Sequence, residues 1–393
     1  MLHKGVTPIY LDNNAGSPLR PCAKDALFTH ASQIGNASSS HFLGQQQHQI
    51  LASARSRALE VLEARDKRLI FTSGCTESNT LALFGMDPFI EHMIIGAAEH
   101  DSVSKNAPLA SCRSHKKALH TIPLTPKGKL DIDALEEILA RITKPFLVSV
   151  AAANHETGVI NDIPHIARKV HHKGGFLHTD AAQFLGKSTY EPSFLKDADL
   201  VSCSSHKTGG PQGVGALLIK QNMPFTPPFG GGGQEEGVRS GTVPIALVAG
   251  FTSALEEALG NASHAHLLNL KAWFAHMERT IKHTAPKAVI WGAKASRLVQ
   301  TTSIYMPFVP RETQLMHFDI NNIAVGVGSA CRSGLKEPSP TLRAMGAGEK
   351  KAQNSIRVSG GWQTKEQDLK LFTQAWIDLY KRTHNNTPER SAA

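Results

Sequence analysis

An α/β fold with a mostly parallel central sheet is predicted for this chain of 393 residues. Three observations predict it. Short apolar runs recur between residues 68 and 220, helical patterns separate them, and polar residues able to do chemistry stand just after several of the runs. Strands covered by helices on both faces read as near-continuous apolar runs. In such sheets ligands bind beyond the carboxyl ends of the strands.

The elements follow in order. "RLIFTSG" (68–74) reads as a strand and "TESNTLALFG" (76–85) as a helix. "HMIIGAA" (92–98) is a strand, and "DIDALEEILARI" (131–142) is a helix with Leu135, Ile138, Leu139 and Ile142 on one face. "FLVSVAAA" (146–153), "GFLHTD" (175–180), "DLVSCS" (199–204) and "VGALLIK" (214–220) are further strands. After about residue 260 the texture changes. "HAHLLNLKAWFAHMERTIKH" (264–283) sets Leu267, Leu270, Phe274, Met277 and Ile281 at helical spacing, which is a core-packing stripe. The length exceeds one compact core, so two domains are expected.

Composition narrows the class. The chain is 41% hydrophobic and 19% charged, as an ordinary enzyme is. It has no apolar run of about 18 residues, so no membrane-spanning helix is expected. The start "MLHKGVTPIYLDNN" lacks an apolar signal core, and a cytoplasmic location is expected. Five cysteines, at 22, 75, 112, 203 and 331, form no C-x-x-C pair. That argues against a disulfide framework and a cysteine-rich zinc site, and leaves one thiol available as a nucleophile. Lys and Arg (42) exceed Asp and Glu (33). Such an excess is a solvated surface or a dock for an acidic partner. No basic run is dense enough for direct nucleic-acid binding.

Three strand ends carry the chemistry. In "FTSGCTESN" (71–79), Gly74, Cys75 and Thr76 offer N–H groups and a hydroxyl at a helix start, which is either a phosphate cradle or an ordinary cap. In "FLHTDAAQ" (176–183), Asp180 is a carboxylate at the end of an apolar strand. It suits a protonated pyridine nitrogen, or a helix cap, and Gln183 lies one turn on. In "SSHKTGG" (204–210), Lys207 stands among Ser204, Ser205, His206 and two glycines, positioned to form a Schiff base with a cofactor the glycines admit. Phosphate cradle, pyridinium carboxylate and Schiff-base lysine together describe pyridoxal 5′-phosphate.

On these residues the chain resembles the cysteine desulfurases, within the fold-type I, class V aminotransferase group. The resemblance runs from "YLDNNAGSPL" (10–19) and "GNASSSH" (35–41) through "TSGCTESN", "ANHETG", "HTDAAQ", "SSHKTGGPQGVGAL", "GGGGQEEGVRSGT" and "GSACRSG" to "SIRVSGG" (355–361). It implies a large cofactor-binding domain, 12–260. A smaller α+β domain, 1–11 with 261–383, carries a cysteine loop, and 384–393 form a disordered tail.

The resemblance also implies roles. Lys207 joins the cofactor, Asp180 pairs with the ring nitrogen, Gln183 contacts the ring oxygen and His100 stacks on the ring. Cys75, Thr76, Ser204, Ser205 and His206 hold the phosphate, and Asn154 lies beside ring and substrate. Thr242 reaches the phosphate of the other subunit of a homodimer, and Arg357 clamps the substrate carboxylate. Cys331 forms the persulfide. The implied reaction turns L-cysteine into L-alanine and hands sulfur to an Fe–S scaffold or a tRNA-thiolation protein. No resident metal is implied, with Cys331 at most a transient ligand of an Fe–S cluster. A class V aminotransferase and a selenocysteine lyase are the alternatives on the same fold. The sequence departs from the usual pattern at Gly16, Gln212, Gly360 and Trp362, none of them expected to touch the core of the mechanism.

Overall fold

The computed structural model describes residues 7–112, 117–143, 145–328 and 338–385. Its strands are β1 (Ile9–Leu11), β2 (Lys67–Thr72), β3 (His92–Gly96), β4 (Ala118–Ile122), β5 (Phe146–Ala151), β6 (Phe176–Asp180), β7 (Leu200–Ser204), β8 (Gly215–Lys220), β9 (Val289–Trp291), β10 (Thr301–Tyr305), β11 (Ile323–Val325) and β12 (Ser355–Ser359).

Among the described residues β2 to β8 form a seven-stranded sheet in the order β2-β8-β7-β6-β5-β3-β4. The links β7-β6-β5-β3-β4 are parallel, and β8 runs antiparallel to both its neighbours. The fold is thus the expected mixed, mostly parallel α/β sheet. Successive side chains point to opposite faces of a strand. Phe146, Val148 and Val150 of β5 accordingly enter one core with Phe71 and Leu218, while Leu147 enters a second with Ile70, Leu81 and Leu217.

The helix Ile132–Arg141 starts where the Asp131 side chain accepts the Ala134 N–H at 3.2 Å, and it buries Leu135 and Leu139. The reading of β5 as far as residue 153 overran, because Ala152 leaves the ladder to begin the turn that carries Asn154 and His155.

A third core belongs to the second half of the chain. The helix Asn261–Thr284 contributes Leu270, Phe274, Met277 and Ile281, and the helix Glu366–Asn385 contributes Phe372 and Trp376. Between them lies a sheet ordered β12-β10-β9, with Ile304, Ile356 and Val358 buried. Leu11 of β1 joins this core, and β1 pairs in parallel with β11. Trp362 has a structural place here. Its indole N–H donates to Pro18 O at 2.9 Å, and the Arg20 guanidinium lies 5.4 Å from its ring centre.

Candidate active site

The parallel strands deliver their carboxyl ends to one edge, and a cavity of about 440 Å³ opens there. Its wall includes Asn14, Gly74, Cys75, Thr76, His100, His155, Asp180, Gln183, Ser204, His206, Lys207 and Arg357. Asp180 is the last residue of β6, Ser204 the last of β7, and Lys207 rides on the helical turn Ser205–Thr208 that follows. Arg357 comes from β12, so both halves of the molecule line the same space.

Asp180 is the most heavily supported group. Its Oδ2 accepts from Asn79 Nδ2 at 2.8 Å, and its Oδ1 accepts from the Ala182 N–H at 2.9 Å and the Cys75 thiol at 3.4 Å. Burial pushes this carboxyl up. Lys207, the Ala182 N–H and Asn79 more than offset that and hold it below its ordinary value, so it is an anion. The same burial, with Asp180 alongside, pushes the Cys75 thiol well up. A thiol so placed is no thiolate nucleophile.

Asn79 also donates to Ser102 Oγ at 2.8 Å, and Ser102 Oγ lies 2.8 Å from His100 Nδ1. The Ser102 N–H donates to the same Nδ1 at 3.1 Å. Nδ1 therefore accepts, and the proton of the neutral ring sits on Nε2. Burial, then Lys207, lowers the His100 pKa, which keeps that neutral form. His155 stands edge-on to His100 at 5.6 Å and is pulled well down by burial and its cationic neighbours. His206 is lowered to about 4 by burial, Lys207 and Lys187, and its Nδ1 lies 3.2 Å from Ser204 Oγ.

Arg357 is almost wholly buried. Its Nη1 donates to His155 O at 2.9 Å and Gly328 O at 3.0 Å, and its Nη2 to Asp12 Oδ1 at 2.7 Å. Its Nε has no partner among the described residues.

Several expected residues fall elsewhere. Ser205 does not line the cavity; its hydroxyl lies beside Gly210, against the helix Ile245–Leu259. The two glycines after Lys207 do not admit a ligand either. Gly209, at φ 90°, ends the helical turn in the left-handed region, and Gly210 packs on Ser205. Asn154 is engaged in its own turn: its Oδ1 accepts from Glu156 N, Thr157 N and Thr157 Oγ1, and its Nδ2 donates to Ala98 O. Thr242 is exposed and away from this cavity. Gly16 and Gln212, departures not expected to touch the core of the mechanism, line it. Cys331 lies outside the described residues.

Sequence reasoning missed Asn79, Ser102, His155 and Lys187. One signal was available: Cys75 and Asn79 are four apart on one helix and so share a face.

The site fits pyridoxal 5′-phosphate by its donor set. A buried anion at the floor faces the space that Lys207 enters, and the Lys207 amine makes no hydrogen bond among the described residues. The N-terminus of the helix Cys75–Met86 opens on the same space, with Ser204 and His206 beside it.

This arrangement is that of a family. The model of the class V aminotransferases matches residues 9–372, and the chain belongs to that family. Within it the chain groups with the cysteine desulfurases. It is 35% identical to cysteine desulfurase IscS of Rickettsia felis, over 92% of this chain and 88% of that one. It is 36% identical to a cysteine desulfurase of Cereibacter sphaeroides, over 91% and 92%. Among solved structures, a NifS-like protein from Rickettsia africae superposes with a TM-score of 0.85 at 29% identity, covering 95% of this chain and all of that one.

Proposed function

We propose that this chain is a pyridoxal 5′-phosphate-dependent L-cysteine desulfurase. The family it belongs to uses this cofactor. The observation that carries the reading is the meeting, in one cavity, of the unbonded Lys207 amine, the Asp180 anion and the Arg357 guanidinium. A protein similar in structure, with a TM-score of 0.76 at 25% identity, has been solved as SspA in complex with cysteine.

Bound at this site, the cofactor supplies an electron sink for bond breaking at the substrate's Cα and Cβ. Asp180 would hold its ring nitrogen, and Gly74, Thr76, Ser204 and His206 would hold its phosphate. Lys207 Nζ would hold it covalently and would move the proton at the substrate's Cα. Arg357 binds the substrate carboxylate, its fork being held in place by Asp12 and two carbonyls. His100, protonated on Nε2, faces the reacting atoms as a donor. The net reaction with Cys331 is balanced: L-cysteine and the Cys331 thiol give L-alanine and a Cys331 persulfide, whose outer sulfur passes to an acceptor protein. A homodimer is part of the proposal, with Thr242 reaching the partner's cofactor phosphate. The described cysteines are all unpaired, which suits a cytoplasmic setting.

The test is alanine and sulfide release from L-cysteine, with mass spectrometry of the persulfide. Cys331→Ser is expected to bind cysteine and perturb the bound cofactor's visible band while releasing almost no alanine, a hydroxyl being a far weaker nucleophile than a thiolate. Undiminished alanine release by Cys331→Ser, with the persulfide found on Cys75 or Cys203, refutes the role given to Cys331, and loss of the amino group from cysteine with its sulfur retained would favour transamination.

A further inference from the structure

Lys187 is a buried lysine that the reaction above does not use; burial, then Lys207 and Arg357, pulls its pKa well below the ordinary lysine value. It is 5% exposed, lies seven residues after Asp180, and is not part of the cavity wall. No carboxylate stands within ion-pair distance of it among the described residues. Its Nζ instead meets three oxygens: Asn13 O at 2.9 Å, Gln183 Oε1 at 2.9 Å and Asn14 Oδ1 at 3.3 Å. All three partners are oxygens placed to accept, so the amine meets them as a donor and is left with no unmet N–H.

The consequence falls on Gln183, which does line the cavity. A carboxamide has a donating end and an accepting end, and nothing in its shape chooses between the two orientations. Two neighbours choose: Lys187 claims Oε1, and the Asn14 carbonyl, which can only accept, takes Nε2 at 2.8 Å, leaving a second N–H in hand. In the reversed orientation Nε2 would face the N–H groups of Lys187, and Oε1 would face the Asn14 carbonyl.

We propose that Lys187 is a positioning residue that locks Gln183 with its amide nitrogen toward the cofactor, so that Gln183 donates to the ring oxygen and holds it as an anion. The inference rests on the cofactor assignment above and deepens it. It assigns the polarity of that contact and the residue that sets it. The lock also ties the cavity to the chain crossing between the two halves of the molecule. Asn13 and Asn14, which accept from Lys187, bond onward to Ser359 and Thr301.

A double-mutant cycle on the holoenzyme tests it, read by the visible absorption band of bound pyridoxal 5′-phosphate and by its Kd. Lys187→Met is expected to shift the band and raise the Kd about tenfold, the effect of losing one hydrogen bond to a charged group. Gln183→Ala should give a similar shift. If Lys187 acts through Gln183, Lys187→Met adds no further shift in the Gln183→Ala background. A merely structural lysine would add its effect in full, and that result overturns the proposal, as does an unshifted band in Lys187→Met. Should Lys187→Met fail to fold, Lys187→Gln, which keeps a shorter donor, carries the same cycle. A wild-type chain that takes up no pyridoxal 5′-phosphate refutes the enzyme reading itself at the first titration, and this inference falls with it.

Discussion

The carboxamide nitrogen of Asn79 orients two groups at once, the Asp180 carboxylate and, through Ser102, the His100 ring. Asn79→Ala should therefore weaken cofactor binding about tenfold in a titration of the apoprotein, by removing one donor to a buried anion. Deeper in the sheet, His178 bridges Ser149 Oγ at 2.8 Å and Ser202 Oγ at 2.9 Å, and burial lowers its pKa from 6.5 to about 4. The unfolded chain takes up this proton near pH 6.5 and the folded chain does not until about 4. Stability thus falls as the pH drops through that window, by up to roughly 3 kcal/mol from this one group. Urea unfolding at pH 7 and at pH 4.5 should show a smaller loss for His178→Gln than for wild type. Lys207, Asp180 and Gln183 were legible in the sequence because each follows an apolar run in a motif. Asn79, Ser102 and Lys187 were not, because their importance lies in what they touch across the fold. Ser205 misled for the same reason: alternate residues of a tight turn face opposite ways, and only one of the two serines meets the cavity.

Apolar runs revealed the strands, since burial on both faces leaves little else in the sequence, but a run carries no direction. That β8 lies antiparallel was readable only from the connection 205–214, which is shorter than a parallel crossover requires. This strand also presses on the turn at Gly74. A Cβ on Gly215 would lie 2.6 Å from Cys203 O and 2.8 Å from the Gly74 backbone. Gly215→Ala must push β8 and the Gly74 turn apart. A lower Tm, by an overpacking cost of about 1–3 kcal/mol, is expected, together with weaker cofactor binding. An alanine variant that binds like wild type would show that the turn yields without harm.

At the scale of the whole molecule the cavity lies where two separately packed halves meet, with Arg357 from one and Lys207 from the other. Phe28, Ile34 and Phe42 are 64%, 78% and 69% exposed. If Thr242 serves the neighbouring subunit's cofactor, inactive Lys207→Ala and impaired Thr242→Ala chains should recover activity when mixed and reassembled. One of the two sites in each hybrid then has both groups intact. Mixing without recovery would place Thr242 in its own subunit's site.

The pairing of Ile9 with Ile323 has a consequence in time. Synthesis begins at the amino terminus, so β1 leaves the ribosome long before β11 exists to receive it. The seven-stranded sheet, complete at Lys220, can assemble while β1 waits unpaired. Arg357 and its strand arrive later still. A nascent chain halted after the sheet would hold Lys207 and Asp180 without the Arg357 guanidinium that shares their cavity. On the roles proposed above, the order of translation would let the cofactor bind before the substrate can, since the cavity is closed only when the last strand is in place.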